Sequence, residues 1–246
     1  MYDEISEMTE QLRIGQKAFH REESRLESLK NLTERYDGYG NSIRKVMEQK
    51  EHNPGIVGVV ADIIKVDQKY ETAIETALGN SMQHIVTSDE ESAKAAINYL
   101  KQRDGGRATF LPLTTIKGTV LTEKGLEACN GFVGIASQLC SCQPQYTSIL
   151  NSLLGRIVIA DTLNNAVSIA KKYGYKFRIV TLDGQVINAG GSLTGGSQGR
   201  KSGLLSRAGE IQKNKEIALD LKEQAAKALE DYKAAQQDYA ATEADI

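Results

Sequence analysis

"VGVVADIIKVDQKYETAIETALG", residues Val57 to Gly79, aligns without a gap on "VGIASQLCSCQPQYTSILNSLLG", residues Val133 to Gly155, at a constant offset of 76. The offset pairs Gly58 with Gly134, Tyr70 with Tyr146, Leu78 with Leu154 and Gly79 with Gly155. It also sets Val59 against Ile135, Ile63 against Leu139 and Ile74 against Leu150. Chance matching of alternating apolar residues does not deliver tyrosine and glycine pairs at identical spacing. Beyond the aligned block each copy continues with a β-branched run and an aspartate ahead of a helical pattern, Asp89 and Asp161, the second copy being four residues shorter. The chain therefore predicts two strand–helix–strand–helix subdomains related by pseudo-symmetry.

The runs around the repeat fit that plan. "GIVGVVADII" (55–64), "HIVTS" (84–88), "RIVIA" (156–160) and "FRIVT" (177–181) read as buried strands. Residues 67–79, 89–102, 145–155 and 163–174 read as amphipathic helices, three of them ending at glycine. Asp183-Gly184 is a hairpin signal between two strands. The class is α/β or α+β, with helices covering sheets.

Outward from the repeat, composition changes. Residues 1–52 and 201–246 are rich in Glu, Lys, Gln, Ala and Leu and each carry a net charge of −2, against +2 for residues 53–200. Alternate steps of three and four residues from Ile5 to Met47 meet apolar residues at nine of thirteen positions; from Ile211 to Ile246 they meet them at nine of eleven. Both ends thus show a heptad seam, narrow and alanine-rich at the C-terminal end, and can pair antiparallel as arms. The glycines of "YDGYGNS" (36–42) stop and restart the first helix. The expected organisation is an arm over 1–50, a globule over 51–204 split near 130 and 131, and a second arm over 205–246. Both patterns run to the chain ends without a stop signal, as in a piece cut from longer arms.

Composition narrows the function classes. No apolar run reaches the roughly 18 residues of a membrane span, and no secretory leader opens the chain. Three cysteines, an odd and small count, suit a reducing cytoplasm. The formal charge of −2 gives no whole-molecule attraction to nucleic acid. Catalytic patterns fail on spacing. "GGSQGRKS" (195–202) places Arg200, not glycine, before Lys201, so it departs from a phosphate-cradling P-loop. Cys140 and Cys142 form C-x-C, one residue short of a zinc hook's C-x-x-C. No catalytic or metal-ligating residue is assigned. A nucleotide-binding α/β enzyme with helical appendages remains the alternative reading.

What is left is "VINAGGSLTGGSQGRKSGLLSR" (186–207). Glycine this dense forces sharp bends or close backbone approach, and Leu193-Thr194 between the glycine pairs reads as a short edge strand able to pair with another subunit. A flexible linker is the competing interpretation.

Together, "NPGIVGVVADII" (53–64), "YETAIETALG" (70–79), "GRATFLPL" (106–113) and "RIVTLDGQVINAGGSLTGGS" (178–197) resemble the hinge domain of structural-maintenance-of-chromosomes (SMC) proteins, the bacterial homodimeric type most of all. The resemblance implies a hinge homodimer joining two antiparallel coiled arms, with Gly190, Gly191, Gly195 and Gly196 at the subunit interface. It implies DNA contact through basic residues, for which Arg107, Arg200 and Lys201 are the candidates. It places ATP, magnesium and accessory condensin subunits at head domains absent from this chain, which itself takes no cofactor and performs no catalysis. The setting it implies is cytoplasmic and nucleoid-associated.

Overall fold

The computed structural model describes residues 10, 13–25, 27–28, 39–197 and 203–244. The chain divides into two compact units, Tyr36–Gly209 and the two ends taken together, Met1–Arg35 with Glu210–Ile246.

The end unit contains helix α1 over 13–25 and most of a 41-residue helix, α8 (Leu204–Ala244). The heptad seam is visible as burial. Between 214 and 230, Asn214 and Ala218 are buried and Leu221, Ala225 and Ala228 half-buried, while every other residue whose side chain is described is exposed. On α1 the seam positions Gly15, Phe19 and Glu22 are half-buried and Ile14 lies exposed. A 3.5-residue repeat keeps one stripe turned inward along a helix, which is the pattern seen.

In the globule, the first copy supplies α2 (Asn41–Met47), β1 (Ile56–Val59), α3 (Val60–Ile63), β2 (Lys65–Val66), α4 (Glu71–Leu78), β3 (Ile85–Thr87), α5 (Glu90–Gln102) and β4 (Phe110–Pro112). The second supplies β5 (Phe132–Ile135), β6 (Cys140–Ser141), α6 (Thr147–Leu154), β7 (Ile157–Ala160), α7 (Leu163–Lys172), β8 (Arg178–Thr181), β9 (Val186–Ile187) and β10 (Leu193–Thr194). Sheet one has the order β1-β3-β4 and sheet two β10-β9-β8-β7-β5. In both, the first strand of the copy runs antiparallel to the second and the third runs parallel to it. The 76-residue offset holds at both ends of β1 and β5 and of α4 and α6. A short third sheet joins the copies, with Lys65 opposite Ser141. Those two residues are repeat equivalents, so the local two-fold passes between them.

The larger core is shared. Ile43, Val46, Met47, Ile74 and Leu78 of copy one pack with Ile149, Leu150, Leu154, Ile157 and Val180 of copy two. Strand periodicity sorts the rest. On sheet two, Ile157, Ile159, Val180 and Val186 face this core, while Val158, Ala160, Ile179 and Ile187 face a smaller one under α7, closed by Leu121, Leu126 and Phe177.

Two expectations change. The run 55–64 is a strand only over Ile56–Val59; the chain then turns through α3, with Asp62 accepting from the Val59 amide at 3.4 Å, and this turn delivers β2 to β6. Residues 41–47, counted with the arm from sequence, form α2 and bury Ile43, Val46 and Met47 in the globule. Their apolar spacing satisfies a core-facing helix as well as a coiled-coil seam.

Candidate functional site

The glycine segment lies at the outer end of sheet two. Gly184 takes φ +86° in the β8–β9 turn, and Thr181 Oγ1 donates to the Asp183 carboxylate while accepting from the Gln185 amide at 2.8 Å. After β9 the chain reverses tightly: the Asn188 amide donates to Ser192 O at 2.8 Å and the Gly191 amide to Asn188 O at 2.9 Å. Gly190 and Gly191 hold φ +86° and +97°, which L side chains rarely adopt. The turn is docked on the loop after α7, where the Gly190 amide donates to Tyr175 O at 3.0 Å.

β10 then pairs antiparallel with β9, Leu193 opposite Ile187 and Thr194 opposite Val186. The Asn188–Ser192 pair is hydrogen-bonded, so by antiparallel alternation Leu193 directs its N–H and C=O away from β9. Its side chain is 59% exposed. An edge with outward backbone groups and an exposed apolar residue is a template for another strand.

Gln185, which sequence reading passed over, fixes the far end. Its Oε1 accepts from the Gly196 amide at 2.9 Å and its Nε2 donates to Gly196 O at 3.3 Å. A β-carbon on Gly195 would collide with the Gln185 amide oxygen, whereas Gly196 requires its φ of +135° and has open space around it. Within one chain the four glycines thus serve backbone conformation at 190, 191 and 196 and side-chain clearance at 195.

Arg107 is exposed in the loop before β4, and its carbonyl accepts from Ser42 Oγ at 2.7 Å. It borders a cleft of about 380 Å³ that also includes Asn80, Gln83 and His84. Burial pushes the His84 imidazole below its ordinary pKa, and its Nδ1 has no hydrogen-bond partner among the described residues. Arg200 and Lys201 lie outside the described residues. The structure brings one further cation to the loop of Arg107. α2 packs on α5, and a β-carbon on Gly105 would lie 3.3 Å from Lys45 Cδ. Lys45 of α2 therefore comes to the loop that carries Arg107, two residues beyond Gly105. Lys45 and Gly105 are sixty residues apart, so no local sequence pattern announces their approach.

The thiols of Cys140 and Cys142 are both pushed up by burial, Cys140 to about 12. No group of three or more His, Cys, Asp or Glu side chains able to hold a metal occurs among the described residues. Among those residues no helix is long and apolar enough to cross a membrane.

Comparison with known proteins bears on this arrangement. The family described as the flexible hinge domain of SMC proteins matches residues 53–170. The chromosome partition protein Smc of Bacillus subtilis is 44% identical over 193 residues, covering 77% of this chain and 16% of that protein. The Smc of Halothermothrix orenii is 41% identical over 201 residues, covering 80% and 17%. The chain thus spans only about a sixth of these relatives' length. Among solved structures, an asymmetric dimer of the Geobacillus stearothermophilus SMC hinge domain superposes with a TM-score of 0.90 at 35% identity, covering 97% of this chain and 98% of the other. The Pyrococcus furiosus SMC hinge gives 0.55 at 30% identity, covering 76% and 92%.

Proposed function

The chain belongs to the SMC hinge family, and on that premise we propose that it is a homodimerisation hinge that joins two coiled arms and contacts DNA weakly through basic residues. The observation that carries the dimer is the outer edge of β10, unpaired among the described residues and shaped by its glycines and Gln185. An edge left exposed at the end of a five-stranded sheet is completed by a strand from a second copy. Sheet one ends on β4, whose outer side is also an edge. If β10 of each copy meets β4 of the other, two equivalent contacts close a ring, as two-fold symmetry requires.

Sedimentation equilibrium tests this. The wild type is expected to be a dimer. Changing Gly190, Gly191, Gly195 and Gly196 to alanine is expected to weaken association on the order of 100-fold, about 2.7 kcal/mol, with circular dichroism showing a retained fold. Leu193→Pro, which removes one outward donor, and Gln185→Ala, which releases the Gly196 clamp, weaken it less. A wild-type monomer, or a dimer indifferent to all three variants, overturns the reading.

DNA contact is proposed at the exposed Arg107, which borders its cleft with Lys45 brought to the same loop. Such contact is electrostatic and weakens with salt through counterion release. Gel shifts with single- and double-stranded DNA at several salt concentrations are expected to show salt-sensitive binding, with Arg107→Ala lowering the slope of log affinity against log salt by about 1. Absent or salt-independent binding refutes it. In the whole protein this hinge would tie together arms ending in ATPase heads, which would hold ATP, magnesium and the condensin accessory subunits at the nucleoid. The two arms then enclose DNA between hinge and heads.

A further inference from the structure

Away from the β10 edge and from Arg107, one thiol is paired with an amine. Cys129 Sγ lies 3.2 Å from Lys172 Nζ, 4.0 Å from the Tyr173 hydroxyl, and 3.4 Å from Gly125 O. The pair is held by its surroundings. Lys172 Nζ donates to the same Gly125 carbonyl at 3.4 Å, and the Tyr173 hydroxyl donates to Lys124 O at 2.9 Å. The Lys172 ammonium also lies 5.4 Å from the centre of the Tyr173 ring. Segment 124–129 and the end of α7 therefore hold a thiol and a primary amine at hydrogen-bonding distance from each other. Cys129 is half-buried and Lys172 exposed, so a small oxidant can reach them. Cys140 differs: its sulfur donates to Ala136 O, its pKa is pushed up to about 12, and no lysine hydrogen-bonds to it among the described residues.

We infer that Cys129 and Lys172 form a reversible, peroxide-driven cross-link. In the first step the Cys129 sulfur attacks a hydroperoxide; an S–O bond forms, the O–O bond breaks, and the departing oxygen leaves as water after taking a proton. Sulfur is oxidised by two electrons to the sulfenic acid, and the peroxide is reduced. In the second step Lys172, having given its extra proton to solvent, attacks that sulfur through its neutral amine. An S–N bond forms, the S–O bond breaks and a second water leaves. One thiol, one amine and one hydrogen peroxide thus give one sulfenamide and two waters. Two equivalents of an external thiol restore both side chains and leave as a disulfide. The link would tie segment 124–129 to the end of α7, three residues before Tyr175, whose carbonyl holds the Gly190 turn. The inference does not depend on the dimer reading.

The test treats the intact chain with a small excess of hydrogen peroxide, digests it and measures peptide masses. The expected product joins the peptides of Cys129 and Lys172 at two hydrogens less than their sum. It disappears with dithiothreitol, and it is absent from Cys129→Ser and from Lys172→Arg, which keeps the charge and the fold. Sulfenic acid at Cys129 with no link to Lys172 overturns the proposal. So does a link made equally to Lys124 or Lys171, or a Cys129 that oxidises no faster than Cys140.

Discussion

The two copies of the duplicated unit have the same strand directions and the same central helix, yet they end differently. Copy one stops at β4 and leans on α2; copy two runs on through β9 and β10 to the glycine edge. Duplication explains what they share, because the aligned residues build a common core across the local two-fold. The proposed functions lie in what each copy added. Even matched residues differ in reason. Gly79 ends α4 at φ +50° with open space around it, whereas its equivalent Gly155 has an ordinary helical φ of −65°. A β-carbon on Gly155 would overlap the carbonyl oxygens of Thr119 and Asn151.

The sharpest way to break the comparison is through the shared core. Ile74→Ala and Leu150→Ala, one change in each copy, should each destabilise the globule by about 2–5 kcal/mol. Both should shift one common denaturation transition, because Ile74 and Leu150 belong to the same core. Two separate transitions, one per copy, would mean that the copies fold independently.

The glycine pair gives a smaller effect. Gly155→Ala should cost more than Gly79→Ala, since the first must displace backbone and the second meets only conformational strain of about 1–3 kcal/mol. Equal losses in thermal denaturation would remove the distinction drawn between them.

Smallest is an effect of acid. The four-residue shortening sets His84 of copy one against Arg156 of copy two, which is exposed. Burial lowers the folded-state pKa of His84, so as pH falls the unfolded chain takes up the proton first. This contribution is therefore absent above about pH 6.5 and turns destabilising as pH drops through that value. Acidification to pH 5.5 should lower the midpoint of the wild type slightly more than that of His84→Gln. Parallel curves would show that His84 is solvated.

Much of this was legible in order along the chain. Strands at 84–88, 156–160 and 177–181 and the four helices fall where β-branched runs and helical spacing put them, because burial of alternate residues or of one stripe is written locally. The arm seam is legible for the same reason, its buried positions being those of the heptad. Residues 60–63 and 110–112 were not. The first look like a continued strand until β6 is there to receive β2, and "FLP" is too short to declare itself without β3 beside it.

By itself, then, the sequence determined the duplication, the α/β class, the heptad stripe of residues 214–228 and the position of a glycine-flanked edge, each a matter of spacing between near neighbours. Tertiary structure alone decided that both copies share one core and that α2 belongs to the globule. It decided too that Gln185 clamps Gly196 and that Lys45 reaches the loop of Arg107 at Gly105. Those facts depend on which distant segments meet, and periodicity along a chain carries no record of what packs against it.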